Sequence, residues 1–231
     1  DIMFAKSITA YQGAKEAGCA PSTLLAMTLE PNRTRGLTAP LLLIATLLCI
    51  ASPSQAVPIN VNISSTTATP TKSEVSIDIN PTNPNNLVVI SHSGNLQTMQ
   101  TFYSFDKGQT WTNVNLGNAF DGITSTLRFD PTVAFDADGN VYVAYGVDDG
   151  NKTAVIVGRS GDGGQTYTAT KVAETSNPTG LLKGNDKWIL ATGPDPVDAS
   201  KQNVYIAWTQ NTGTEQKIVL SGSKDGGVTF S

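Results

Sequence analysis

The chain is poor in the side chains that most often carry out chemistry. It has two cysteines and one histidine in 231 residues. Both cysteines, Cys19 and Cys49, lie in the first fifty positions, so everything after them lacks disulfides and thiol nucleophiles. A single histidine, His92, excludes histidine-based triads and typical zinc sites. Arginine is also scarce: beyond residue 56 only Arg128 and Arg159 occur. Over that same stretch eleven Lys and Arg face sixteen Asp and Glu, a net charge of −5. A mildly acidic surface argues against nucleic acid and anionic membranes as partners. The longest apolar run, Leu41–Ile50, is too short for a comfortable membrane span.

That run has a different use. Arg33 and Arg35 precede it, and Ala51-Ser-Pro-Ser-Gln-Ala56 follows it. A basic segment, an apolar segment and a small-x-small site make a signal peptide cleaved before Val57. A start at Met27 gives 27–56 as the leader, with 1–26 an upstream segment outside the native structure. Cys49 lacks the small residue that precedes a lipidated cysteine. The expectation is a secreted protein, extracellular or periplasmic, whose folded part is 57–231.

What is abundant is repetition. Ser104-Phe-Asp106-Lys-Gly108-Gln-Thr110-Trp111, Ser160-Gly-Asp162-Gly-Gly164-Gln-Thr166-Tyr167 and Ser223-Lys-Asp225-Gly-Gly227-Val-Thr229-Phe230 share one pattern, Ser-x-Asp-x-Gly-x-Thr-aromatic. Ser and Asp can bond nearby backbone amides, and Gly accepts the positive φ of a tight hairpin. The first two copies are 56 residues apart and the next two 63. Glu74, Asp130 and Asp186 form a second ladder at intervals of 56. Each acid opens an apolar stretch followed by a second one: Asn86-Leu-Val-Val-Ile, Asn140-Val-Tyr-Val-Ala-Tyr and Asn203-Val-Tyr-Ile-Ala-Trp. Asp130 to Asn140 is 10 residues and Asp186 to Asn203 is 17, so a seven-residue insertion within Gly193–Gln202 accounts for the longer third repeat.

Four apolar segments per repeat predict an all-β fold, a β-propeller of four-stranded antiparallel blades. The blades fall at roughly 73–116, 127–173 and 183–231. About three are present and six are expected in the full protein, of which this chain would be an N-terminal fragment. Residues 57–72 read as an irregular lead-in or as a partner strand for closing the ring.

The three motifs resemble the Asp-box, the bacterial neuraminidase repeat, of the sialidase superfamily. The resemblance covers about 73–231. It is supported by Ser76-Ile-Asp-Ile-Asn-Pro-Thr-Asn-Pro-Asn-Asn-Leu, by Asp130-Pro-Thr-Val-Ala-Phe-Asp-Ala-Asp-Gly-Asn-Val-Tyr-Val-Ala-Tyr145 and by Asn203-Val-Tyr-Ile-Ala-Trp208. It implies that Ser104, Asp106, Gly108, Thr110 and Trp111, with their counterparts Ser160, Asp162, Gly164, Thr166, Tyr167, Ser223, Asp225, Gly227, Thr229 and Phe230, are structural and lie away from the binding face. That face would be built from the loops Gly117–Phe129, Thr175–Asn185, His92–Gln97, Gly146–Lys152 and Thr209–Lys217. Many proteins that are not sialidases carry the same motif.

Sialidases resemble one another in three arginines that clamp a carboxylate, a Tyr/Glu nucleophile pair and an acid/base Asp. Arg128, in Leu127-Arg-Phe-Asp-Pro131, is similar to the family's arginine motif with one residue inserted; it reads either as a clamp or as an ordinary loop cation. Ala144-Tyr-Gly-Val147 stands where a second clamp arginine is expected. Asp149, with Asp148 beside it, matches the acid/base place, because two carboxylates in a cleft can raise one pKa; the other reading is a polar Asp-Asp-Gly-Asn turn. Glu74, Asp130 and Asp186 could ring the axis and bind Ca²⁺ or sugar hydroxyls, or accept amides from the neighbouring blade. His92 is a further candidate contact, and Trp188 and Trp208 read as core. Two functions fit: a propeller presenting a face to a carbohydrate or protein ligand, or an exo-sialidase-type glycoside hydrolase with catalytic residues beyond Ser231.

Overall fold

The computed structural model describes residues 60–65, 72–125, 127–176 and 184–231. The leader and the segment before it lie outside these residues. Eleven strands form three separate sheets. The first contains β1 (Ser76–Ile79), β2 (Leu87–His92), β3 (Met99–Ser104) and β4 (Thr112–Leu116). The second contains β5 (Leu127–Phe135), β6 (Val141–Asp148), β7 (Lys152–Ser160) and β8 (Thr168–Ser176). The third contains β9 (Asn185–Pro194), β10 (Gln202–Asn211) and β11 (Gln216–Ser223). Each sheet runs in sequence order with antiparallel neighbours, which is the meander of a propeller blade. Gly222 and Ser231 exchange two backbone hydrogen bonds of 3.0 Å, where β4 and β8 begin in the other sheets. One helical turn, Asn118–Asp121, interrupts the β structure between the first and second sheets.

The repeat is visible in the register. Leu87 pairs with Ser104, Val141 with Ser160 and Val204 with Ser223. Each pair joins the residue after a strand-leading Asn to the Ser that opens a turn motif. The seven extra residues fall in the β9–β10 hairpin, as the spacing predicts. The tips of the inner hairpins share one device. Asn80, Asp136 and Asp195 each accept amides from their own turn: Thr82 at 2.9 Å, Asn140 at 2.9 Å and Val197 at 2.8 Å.

The sheets stack face on face. Val88, Ile90, Met99 and Leu116 of the first meet Val133, Phe135, Val143 and Tyr145 of the second. The opposite face of the second sheet places Tyr142, Ala144, Val155 and Val157 against Trp188, Leu190, Val204, Ile206 and Trp208 of the third. Every residue of β6 is therefore buried, because both its faces have a neighbouring blade. At about 1.5–3 kcal/mol for each large side chain taken out of water, these two layers dominate the stability. Gly146 is required by the second layer: the Trp188 indole lies where its Cβ would be. Trp188 and Trp208 are core residues, as their apolar setting implied.

Candidate functional site

The three turn motifs adopt one geometry. In the first, Ser104 Oγ donates to Asp106 Oδ1 at 2.7 Å and accepts the Gly108 amide at 2.9 Å. The Asp106 carboxylate also accepts the Thr110 amide at 2.8 Å and hydroxyl at 2.6 Å. Asp162 holds Thr166 through the same pair of bonds, at 2.9 and 2.6 Å, and Asp225 holds Thr229 at 2.9 and 2.6 Å. Thr110, through its hydroxyl and then its amide, holds the Asp106 carboxyl down at about 2. At Asp162 burial pushes the pKa up, but the Thr166 bonds outweigh it and the net shift is downward. At Asp225 the Thr229 bonds lower it well below the usual range. The pair after each Asp is left-handed: Lys107–Gly108 with φ 62 and 83, Gly163–Gly164 with 75 and 97, Gly226–Gly227 with 68 and 84.

These turns also join blades. Asn86 donates to the carbonyl of Gly163 at 3.0 Å, tying the second motif to the first sheet. Gly226 and Gly227 lie against Tyr142 and Arg159 of the second sheet. Arg159 is thus half-buried under the third motif rather than simply solvated.

The acidic ladder forms a second set of joints. Glu74 Oε2 accepts the Asp130 amide at 2.8 Å, and Asp130 Oδ2 accepts the Lys187 amide at 3.2 Å. Glu74, Asp130 and Lys187 share a left-handed backbone, with φ of 51, 51 and 47. The Asp130 carbonyl accepts the indole N–H of Trp188. Farther along, Asp78 accepts the Phe135 amide at 2.7 Å and the Phe135 carbonyl accepts the Thr192 hydroxyl at 2.7 Å. Asp186 differs. It is exposed, and its carboxyl is pushed up, first by desolvation and then by its hydrogen bond to and repulsion from Asp130. Asp130 and Asp186 therefore form a proton-sharing pair at one end of the second and third blades. Among the described residues no three His, Cys, Asp or Glu side chains assemble a metal site.

Four of the expected site residues take other places. Arg128 is neither a clamp nor a loop cation. It is fully buried in β5 and grips Asp121 with Nε at 2.9 Å and Nη2 at 2.8 Å. It also donates to Asn118 Oδ1 and the Ile123 carbonyl at 3.0 Å, and to the Gln97 carbonyl. Tyr145 completes the cluster with a 2.9 Å bond to Asp121. Asp149 is an exposed turn residue accepting the Asn151 and Lys152 amides at 2.8 and 2.7 Å. Those bonds lower its pKa, the wrong direction for a general acid. Asp148 is buried and caps the Gly150 amide at 2.6 Å. His92 ends β2 instead of opening a loop; it is buried, with Nε2 2.8 Å from Glu74 Oε2.

Sequence reasoning missed Asp121, Asn86 and the trio Asn80, Asp136 and Asp195. Asn80 and Asp136 are 56 residues apart, so the repeat interval could have revealed them. Nothing in the sequence marked Asp121 as the partner of Arg128.

No protein-family model matches this chain, and no curated protein matches it. Solved structures do. An α-L-arabinofuranosidase from Fusarium graminearum, solved with an iminosugar inhibitor, is similar with a TM-score of 0.54 and 17% identity, over 70% of this chain and 47% of that one. An α-L-arabinanase from Penicillium chrysogenum, solved with arabinobiose, gives 0.52 and 15%, over 67% and 46%. A sialidase described as Hadza microbial gives 0.50 and 13%, over 69% and 32%. The chain spans about half the length of the first two. At these identities the likeness establishes the fold, which is that of β-propeller glycosidases.

Proposed function

We propose, for a chain folded as β-propeller glycosidases are, that the described blades form a secreted, sialidase-like framework presenting a carbohydrate ligand to the end that bears Asp130 and Asp186. The observation carrying this reading is the division of labour between the two ends. At the motif end every carboxylate is spent on its own turn. At the other end Asp186 remains exposed, with a carboxyl that holds a proton into a higher pH range than usual. Such a group can donate to or accept from sugar hydroxyls. Titration calorimetry with arabino-oligosaccharides and sialosides tests this. Binding that is lost in Asp186→Asn but kept in Asp149→Asn is expected; binding indifferent to Asp186 sinks the assignment.

The same pair favours a second reading. Glycoside hydrolysis needs a carboxylic acid that is still protonated when the leaving oxygen departs. Asp186, raised by burial and by Asp130, has that character, whereas Asp149 does not. The described residues offer no carboxylate clamp, since Arg128 is committed to Asp121. The chain is therefore expected not to turn over a fluorogenic sialoside. Turnover that disappears in Asp186→Asn would make hydrolysis the primary reading.

A further inference from the structure

The blade interfaces follow one rule, and two apolar faces obey it without a partner. Val155 and Val157 of β7 are 0% exposed because the third sheet covers them. Sixty-three residues on, Ile218 and Leu220 of β11 hold the same places and are 76% and 65% exposed. At the other end of the stack, Val133 and Phe135 of β5 are buried against the first sheet. Fifty-six residues earlier, Ile77 and Ile79 of β1 are 57% and 51% exposed. One open face is thus the donor half of a blade joint and the other is the acceptor half.

The seat for a turn motif is also vacant. On the second sheet the Gly226–Gly227 turn rests on Tyr142 and Arg159. The counterparts on the third sheet, Tyr205 and Gly222, instead line an open cavity of about 240 Å³ together with Leu220, Ser223, Lys224 and Ser231. Asn203, the counterpart of Asn86, is buried and has an Oδ1 without a partner. The first blade offers the matching piece, because Lys107–Gly108 has the same left-handed backbone as the two seated turns. Residues 60–65 place Ile63 and Ser64 beside Val75, Val89 and Phe102, yet leave Ile77 and Ile79 exposed.

We infer that the outer face of the third sheet docks the outer face of the first sheet of a second copy of this chain. The contact repeats the existing blade joints: Ile77 and Ile79 meet Ile189, Ile218 and Leu220, and the Lys107–Gly108 turn enters the cavity at Tyr205. Such a contact is heterologous, using two different patches of one surface, and it closes when two copies complete a ring.

The test is sedimentation velocity of the full chain over a dilution series, with Ile77→Glu and Leu220→Glu as variants. The wild-type chain is expected to shift from monomer to dimer with concentration. Each variant should weaken this by about tenfold or more, the scale of losing a buried apolar anchor. Mixing the two variants should restore association, since each supplies the face that the other lacks. Both substitutions are at exposed positions, and circular dichroism melts check that the fold is kept; Ile79→Glu and Ile218→Glu replace any variant that fails. A chain monomeric at every concentration overturns the inference and leaves the face to a further blade of other origin. Association that survives both variants, or that mixing does not restore, overturns it as well.

Discussion

The carboxylate of Glu74 accepts the backbone N–H of Asp130 at 2.8 Å, across 56 residues of sequence. Asp130 in turn accepts the N–H of Lys187, 57 residues on. Both residues sit in the left-handed region, where an L side chain is strained. The strain is tolerated because it turns each amide toward the preceding blade. These acids are first of all fasteners.

Glu74→Ala should therefore destabilise the fold by about 1–3 kcal/mol, the cost of leaving a buried donor unmet. Chemical denaturation with a single unfolding transition provides the measurement. An unchanged midpoint would mean that water replaces the carboxylate without loss.

Asp186 should behave in the opposite sense. Its folded pKa is raised, so the folded state binds the proton more tightly than the unfolded state does. Its contribution to stability is full below the ordinary carboxylate range and is lost as pH rises through the folded value. Asp186→Asn, which removes the titration, should equal or exceed the wild type in stability at neutral pH. A clear loss there would show that the ionised form is the one the fold needs.

The turn motifs set the acid limit. Asp106, Asp162 and Asp225 have lowered pKa values, so their contribution is present above the usual carboxylate range and disappears as pH falls through the folded values. Thermal stability should decline most steeply between about pH 4 and pH 2. Asp162→Ala should flatten that decline and cost about 1–3 kcal/mol at neutral pH by stranding the Thr166 and Gln165 amides.

Arg128→Met should cost about 3–5 kcal/mol, because it strands the buried Asp121 carboxylate. Adding Asp121→Asn should recover part of that loss. If Arg128 were a substrate clamp, stability would hold and only ligand affinity would fall. Denaturation curves of the single and double variants separate the two outcomes.

Much of the fold could be read from the sequence because the repeat is local. The motif turns are closed within four residues by Ser, Asp and Thr, so their pattern survives any change of neighbours. The 63-residue interval likewise located the insertion now seen in the β9–β10 hairpin. The candidate site was less legible, for a physical reason in each case. The apolar run of β2 stops at Ile90, and Ser91-His92 looked like a turn; the strand continues because Gln100 and Met99 pair with those residues. The pKa of Asp149 is decided by two amides of its own turn, which outweigh the neighbouring carboxylate. The choice of Asp121 by Arg128 depends on where a single helical turn docks, and no spacing rule specifies that.

The β9–β10 hairpin has a practical consequence. Its extra residues are closed off by the Asp195 N–H bond to the Lys201 carbonyl at 2.9 Å, and Val197 at its tip is 93% exposed. The strands on either side keep the pairing of Val204 with Thr192 and with Ser223. A tip that carries seven more residues than its counterpart, while the register below is unchanged, is a graft point. A foreign peptide or fluorophore placed between Asp195 and Lys201 would be displayed in solvent at the motif end, remote from Asp130 and Asp186.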